Sequence, residues 1–169
     1  GTPVEPLQFG GSQNRGVRPG TENVAAAVAL ARAAELAVEE LETEMPRLRA
    51  LRDRLQRELV ERIPDAVVHA SGAERAPHIL NISVPGTDSE SMLMALDLSG
   101  VACSSGSACQ SGSVDPSHVL EAIGVPRELA IAAVRMSLGS LTTDACIDRV
   151  AQLFPALISK ARRLAGVAS

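Results

Sequence analysis

The chain has 169 residues, a net charge of −4 and only 1% aromatic residues, with no tryptophan or tyrosine. This length predicts one domain with its own hydrophobic core. Nucleic-acid binding favours a basic surface and aromatic side chains that stack on bases, so the composition argues against nucleic acid as a partner. No apolar run is long enough to cross a bilayer and the first residues lack a signal-peptide pattern, so we expect a soluble cytoplasmic protein with no membrane partner.

The first third of the chain predicts a loop followed by helix. Three prolines and five glycines in the first 20 residues favour an extended loop. A helix is predicted from Thr21, whose hydroxyl can cap it, to residue 42. Apolar residues spaced three or four apart continue beyond it, but Pro46 predicts a break or kink at 43–46 and a second helix over 44–62. The charged face of this second helix indicates a solvated surface.

The rest of the chain alternates short strand and helix patterns. β-branched or alternating runs between prolines and glycines predict strands at 66–70, 79–84, 101–104 and 131–138. Helices are predicted at 88–98, capped by Asp88 or Ser89, and at 116–123 and 126–130. A long C-terminal helix is predicted to be capped by Thr142 or Thr143 and bent at Pro155. This order predicts an α/β domain, with a small sheet covered by helices on one side.

Residues 104–113, SSGSACQSGS, are small and polar and contain Cys109. Glycine relaxes the backbone and serine competes for local hydrogen bonds, so we expect a mobile loop that is poorly ordered when no partner is bound. For Cys109, the residues alone support a buried thiol and a nucleophile about equally. Cys103 and Cys146 fit neither a disulfide framework nor zinc spacing, and we interpret them as small buried hydrophobic residues.

Two further features can bind an anion. The stretch GGSQNRGVRPGT at 10–21 is neither a dinucleotide fingerprint nor a P-loop, and a loop before a helix is its simplest interpretation. Thr21 at the helix start nevertheless offers a hydroxyl and free N–H groups that suit a phosphate. Arg135 lies in an apolar run that predicts a strand, so its side chain must either point outwards or meet an anion.

Four weaker candidates complete the set. His118 could accept a proton, although a surface residue is the simpler interpretation for a histidine at a helix start. Asn81 is predicted to be a structural polar group with its hydrogen bonds satisfied. His69 and His78 have no neighbours with metal-ligand spacing, so we interpret them as structural.

Four motifs resemble the cysteine desulfurases of nitrogen fixation and iron–sulfur cluster assembly, which belong to the pyridoxal-phosphate (PLP) enzymes of aminotransferase class V. In the family's order, they are GGSQNRGVRPGTEN at 10–23, HILNISV at 78–84, VACSSGSACQSGSVDPSHVL at 101–120 and VRMSLG at 134–139. The other desulfurase branch has a shorter cysteine loop. The resemblance covers nearly the whole chain and implies the small C-terminal domain of a fold type I PLP-dependent transferase.

The resemblance also implies roles for three residues. Cys109 would take sulfur from L-cysteine as a persulfide and release L-alanine, Arg135 would bind the substrate α-carboxylate, and Thr21 would contact the PLP phosphate of a neighbouring subunit. The sulfur would pass to an iron–sulfur scaffold or another acceptor protein, and family members are homodimers. The sequence departs from the family pattern at Ser12, often glycine, and at Asn14, often glutamate, which affects the geometry of that loop.

The resemblance places the cofactor lysine before the glycine-rich segment. The sequence has fifteen arginines but one lysine, Lys160, which lies near the C-terminus. Residues 1–20 would then be a loop remnant of the large cofactor domain and residues 21–169 the small domain, which would be inactive alone. The alternative is a non-catalytic sulfur-carrier or interaction module, which would show no cofactor absorbance. A class V transaminase or selenocysteine lyase would not need the long cysteine loop.

Overall fold

The computed structural model describes residues 3–105 and 116–166, and it divides into two compact units, residues 1–42 and 43–169. A 3-10 turn at Gln13–Gly16 precedes helix α1, Val24–Arg62, which begins in the first unit and ends in the second. The other described elements are β1 (Val67–Val68), β2 (Ile79–Ser83), α2 (Ser89–Leu98), α3 (His118–Ala122), α4 (Arg127–Ile131), β3 (Ala133–Ser137) and α5 (Asp144–Leu164). The division predicted at residues 20 and 21 stays a prediction. Within the described ranges, no helix has the length and apolar character that a membrane span requires.

The three strands form one antiparallel sheet in the order β1-β2-β3. Asn81 on β2 lies opposite Arg135 on β3. Successive side chains of a strand point to opposite faces of the sheet. One face therefore carries the apolar side chains of Leu80, Ile82, Val134 and Met136. Asn81 and Arg135 lie on the other face, and the predicted α/β class with a small sheet is confirmed.

Helices pack on both faces of this sheet. The main core lies between the apolar face and helices α1, α2 and α5, where Leu59, Leu80, Ile82 and Leu96 are fully buried. A second cluster, Leu120, Ala130 and Ala133, joins α3 and α4 to the opposite face. The prediction of helices on one side of the sheet is therefore incomplete. The small side chain of Ala133 leaves room for α3 and α4 on the other side.

Helices α2 and α5 begin at predicted caps. Asp88 accepts a hydrogen bond from the Ser91 backbone N–H at 2.8 Å, and Thr143 Oγ1 accepts one from the Cys146 N–H at 3.4 Å. Both caps satisfy a backbone donor that has no partner within the helix. The choice of Thr143 over Thr142 settles the alternative that the sequence leaves open.

Helix α1 does not begin where the sequence predicts. Asn23 Oδ1 accepts a hydrogen bond from the Ala26 N–H at 3.0 Å, and the helix begins at Val24. The prediction of Thr21 as the cap is therefore wrong. Asparagine and threonine are both good caps, so residue type alone does not separate the two positions.

Helix α1 also runs without interruption through Pro46, so a break at 43–46 is wrong, whereas the alternative of a kink stays a prediction. An interior proline costs about 3 kcal/mol, because it cannot donate to the carbonyl of Glu42 and crowds it. Burial of each leucine stabilises the helix by roughly 1.5–3 kcal/mol. Four leucines after the proline are buried against the core: Leu48, Leu51, Leu55 and Leu59. Their burial outweighs the cost of the proline.

All four predicted strands are shorter in the structure, and two of them keep only one or two paired residues. Only Val67–Val68 of the predicted 66–70 forms a strand, and Ala70 has φ 54°, a left-handed conformation that ends the extended backbone. Of the predicted 101–104, only Ser104 pairs, in a single bridge with Arg135.

Arginines of α1 bind α5, so the prediction of a simply solvated surface for 47–62 is wrong. Arg54 pairs with Asp144 at 2.8 Å and also with Asp148, and Arg62 donates to the Ala151 carbonyl at 2.5 Å. The partners lie about 90 residues away along the chain. A helical charge pattern cannot show partners at that separation.

We expect Leu59→Ala to lower the free energy of unfolding by about 2–5 kcal/mol, because it removes a fully buried side chain and leaves a cavity. The matched control is Leu30→Ala on the same helix, where the side chain is 73% exposed and the expected change is within about 0.5 kcal/mol. Urea denaturation followed by circular dichroism measures both. Equal losses in the two variants would contradict the placement of the core.

Candidate substrate pocket

A pocket of about 290 Å³ opens on the polar face of the sheet. Its polar lining residues are His69, Arg75, Asn81, Ser117 and Arg135, and helix α3 supplies part of an apolar wall. Among the described residues, both charged side chains that line the pocket are arginine, and neither Asp nor Glu contributes to its lining. The pocket therefore favours an anionic ligand.

Arg135 is held at the pocket by its backbone. Its N–H donates to the Ser104 carbonyl at 2.6 Å, and its carbonyl accepts from the Ser104 N–H at 3.1 Å. Because both groups point at Ser104, Arg135 and Asn81 form the closer, non-hydrogen-bonded type of antiparallel pair. The Cβ atoms of such a pair lie about 4.5–5.5 Å apart. Asn81 is therefore a direct neighbour of Arg135.

The Ser104 bridge connects the pocket to the segment that carries the predicted nucleophile. Ser104 is five residues before Cys109 in the sequence, and Ser117, eight residues after it, lines the pocket. Of the described residues that flank this segment, Ser104 is therefore bonded to a lining residue of the pocket and Ser117 lines it. Cys109 itself, and all but the first two residues of the loop predicted to be poorly ordered, lie outside the described residues.

His69 is buried beside the pocket, in agreement with its predicted structural role. Its Nε2 lies 2.6 Å from Ser83 Oγ, which donates its own proton to the Leu129 carbonyl at 2.6 Å. A hydroxyl has a single proton, so His69 must donate from Nε2 and the neutral ring keeps its lone pair on Nδ1. Burial lowers the pKa of His69, which favours this neutral form.

Two buried polar atoms at the pocket have no hydrogen-bond partner among the described residues. They are Asn81 Oδ1, an acceptor, and Arg75 Nη1, a donor. The prediction that the polar group of Asn81 is satisfied is therefore wrong for its oxygen. A buried polar atom without a partner costs about 1–3 kcal/mol, so a ligand that supplies the partner gains that energy.

In the first unit, Thr21 lies in an exposed segment before α1. Its carbonyl accepts a hydrogen bond from Arg18 at 3.2 Å. Asn14 has φ 50° and its side-chain amide donates to Glu22 at 3.1 Å, so a residue that departs from the family pattern orders this loop. The helix N–H groups begin after Asn23, and the phosphate role of Thr21 stays a prediction.

Neither of the two described cysteines lines the pocket. Cys103 is half-buried, and burial raises the pKa of its thiol to about 11. Cys146 is exposed in the first turn of α5, and hydrogen bonds with Thr143 lower the pKa of its thiol. The prediction of two buried thiols is therefore wrong for Cys146. His118 is exposed at the start of α3, and the described residues hold no cluster of His, Cys, Asp or Glu that could bind a metal.

The fold and pocket define a small α/β domain with an arginine-lined pocket on one face of its sheet. The family Aminotransferase class-V matches residues 4–150, and the chain belongs to this family. It is 44% identical over 164 residues to a cysteine desulfurase of Gluconacetobacter diazotrophicus, covering 97% of this chain and 41% of that protein. It is 42% identical over 164 residues to the cysteine desulfurase IscS of Dictyoglomus turgidum, covering 97% and 42%.

A solved NifS-like protein from Rickettsia africae has the same fold. The TM-score is 0.79 at 28% identity, over 94% of this chain and 41% of that chain. The family resemblance read from the sequence is therefore confirmed. The chain spans about two fifths of the length of the curated relatives it matches.

The stability of the chain should fall as the pH drops below 6.5, the ordinary pKa of histidine. Because burial lowers the pKa of His69 in the folded state, the unfolded state binds the proton first. The contribution of His69 is thus complete above that pH and is lost as the pH falls towards the folded-state pKa.

Urea titrations of the wild type and His69→Gln at pH values above and below 6.5 measure how the free energy of unfolding depends on pH. His69→Gln should lose this part of the pH dependence, whereas His118→Gln, at an exposed position, should keep it. The same pH dependence in all three proteins would show that His69 does not carry it.

Proposed function

We propose that this chain is the carboxylate-binding and sulfur-accepting part of a PLP-dependent cysteine desulfurase, which takes sulfur from L-cysteine and releases L-alanine. The observation that carries the proposal is the Ser104–Arg135 bridge. It joins the base of the Cys109 segment to an arginine in a pocket that favours anions. The relatives that are named cysteine desulfurases support the same activity.

Arg135 binds the α-carboxylate of L-cysteine in this proposal. The planar guanidinium fork can donate two parallel hydrogen bonds to a carboxylate, which a lysine cannot do. Apolar side chains of α3, among them Val119 and Leu120, line the same pocket. They lower the local dielectric, which strengthens a charge-assisted hydrogen bond.

The described residues fit the substrate side of a PLP site. The pocket is lined by arginines and by no lysine, and Lys160 is exposed on α5. Enzymes of this family are in general PLP-dependent. When bound, PLP supplies an electron sink that makes the substrate sulfur open to attack. Thr21 would hold the cofactor phosphate, and residues other than those of this chain would supply the Schiff-base lysine.

Cys109 is the nucleophile in this proposal. Its thiolate attacks the sulfur of L-cysteine, so that an S–S bond forms as the substrate C–S bond breaks. The electron pair of that bond goes to the carbon, which takes up a proton to give L-alanine. The outer sulfur atom of the persulfide then passes to an iron–sulfur scaffold or another acceptor protein. Cys103, with a pKa of about 11, carries little thiolate at neutral pH and is a poor substitute.

The alternative is a non-catalytic sulfur-carrier or interaction module. A carrier needs an accessible thiol, but it has no use for a pocket lined by two arginines at the base of the cysteine segment. The pocket therefore favours the enzyme. The homodimer and the cytoplasmic location expected from the sequence stay predictions.

The persulfide is tested by intact mass after incubation with PLP and L-cysteine. The chain alone should gain no mass, because no lysine lines its pocket. A chimaera in which the chain replaces the matching region of the Gluconacetobacter desulfurase should gain one sulfur atom. Cys109→Ser should abolish this gain, whereas the exposed-thiol control Cys146→Ser should keep it. A gain that persists in Cys109→Ser would contradict the assignment.

Arg135→Lys in the same chimaera should raise the KM for L-cysteine by about ten- to a hundredfold, the equivalent of one lost charge-assisted hydrogen bond. Steady-state release of L-alanine measures the change. The control is Arg149→Lys, at an exposed arginine on α5 that bonds the Ser99 carbonyl outside the pocket. An unchanged KM in Arg135→Lys would refute the carboxylate role.

A further inference from the structure

The pocket has a second arginine that the proposed reaction does not use. Arg75 lies in the connection between β1 and β2 and lines the pocket together with Arg135. We infer that Arg75 and Arg135 together make the pocket a receptor for short dicarboxylates, each arginine binding one carboxylate. The carboxylate-binding role of Arg135 rests on the proposed function. The carboxylate-binding role of Arg75 rests on the hydrogen bonds and charges around Arg75. Short dicarboxylates would then compete with L-cysteine for this site.

The hydrogen bonding of Arg75 leaves a donor for a ligand. Nη2 donates to Gln56, whereas Nη1 is buried with no partner within the described part of the chain. Arg75 as a whole is only partly buried and lines the pocket. A carboxylate oxygen in the pocket would supply the missing acceptor.

The charges around Arg75 also favour an anion. The neighbouring Arg52 is 5% exposed, forms an ion pair with Asp53 at 2.8 Å and donates to the Ala76 carbonyl at 3.2 Å. Asp53 is thus already engaged by Arg52. Burial and the charge of Arg52 lower the pKa of Arg75 by more than the charge of Asp53 raises it, so the cationic form of Arg75 is under-compensated. An anion in the pocket stabilises that cation.

The size and lining of the pocket select the ligand class. Its volume of about 290 Å³ is at the lower end of the roughly 300–1,000 Å³ of ligand sites. Such a volume suits an acid of a few carbon atoms. Ile79, Val119 and Ile123 supply apolar surface for the methylenes between two carboxylates. A short dicarboxylate therefore matches the two arginines and the wall between them.

The test compares succinate with butyrate, which has the same number of carbons but one carboxylate. Both are titrated into the 169-residue chain at low ionic strength, with backbone amide shifts as the readout. The wild type should bind succinate about tenfold more tightly than butyrate, the equivalent of one charge-assisted hydrogen bond. Arg75→Gln should abolish this preference and leave the butyrate affinity unchanged.

Two further variants control the result. Arg57→Gln removes an exposed arginine of α1 outside the pocket and should keep the preference for succinate. Arg75→Lys keeps a positive charge and should retain part of the preference, which a purely structural role of Arg75 would not predict. Equal affinity of the wild type for the two acids would overturn the inference. So would a preference that survives in Arg75→Gln or is absent from Arg75→Lys.

The carboxylate-binding role of Arg135 is tested separately. Arg135→Gln should weaken the binding of both acids. If Arg135→Gln leaves butyrate binding unchanged, the proposed function loses its carboxylate site. If Arg135→Gln weakens butyrate but Arg75→Gln does not affect succinate, the dicarboxylate inference alone is overturned.

Discussion

The antiparallel register of β2 and β3 decides which side chains meet at the pocket. Side chains alternate across the sheet, so Leu80 and Val134 enter the core while Asn81 and Arg135 face the ligand side. A slip of one residue would bring Arg135 into the core and expose Met136 in its place. Burying an unpaired guanidinium is prohibitively costly, so the apolar core itself enforces the position of the arginine.

The main core and the candidate pocket lie on different faces of the same sheet. The helical layer of α1, α2 and α5 rests on the apolar face, and arginines of α1 strengthen it by binding carboxylates and carbonyls of α5. The opposite face holds the buried His69–Ser83 pair and the unpartnered atoms of Asn81 and Arg75. Polar groups left without partners are tolerated there because the core on the other face carries most of the stability.

Elements with local signals were predictable from the sequence. Asp88 and Thr143 cap helices because their side chains reach backbone donors three residues away, which a sequence pattern shows directly. The continuity of α1 through Pro46 depends on leucines that pack against distant elements, so no local rule could show it. The shortened pairing at Ser104 has the same cause, since a strand needs a partner that the sequence does not specify.

The candidate site was predictable in part. Arg135 stands out in the sequence because a charge in an apolar strand requires an explanation. Arg75 gives no such signal, since an arginine beside Glu74 and before Pro77 is typical of any surface loop. The missing partner of Asn81 Oδ1 is visible only in three dimensions, because an asparagine in a strand is usually satisfied.

The bridge between Ser104 and Arg135 bears on how long the cysteine segment can be. The fold fixes the two ends of this segment, because Ser104 is bonded to Arg135 and Ser117 lines the pocket. The entropy cost of closing the chain between these ends depends only weakly on the number of residues between them. Each doubling of a loop adds only about 0.6 kcal/mol to that entropy cost. Insertions between the two serines would therefore extend the reach of Cys109 with little loss of stability. The length of this segment can thus vary almost independently of the fold.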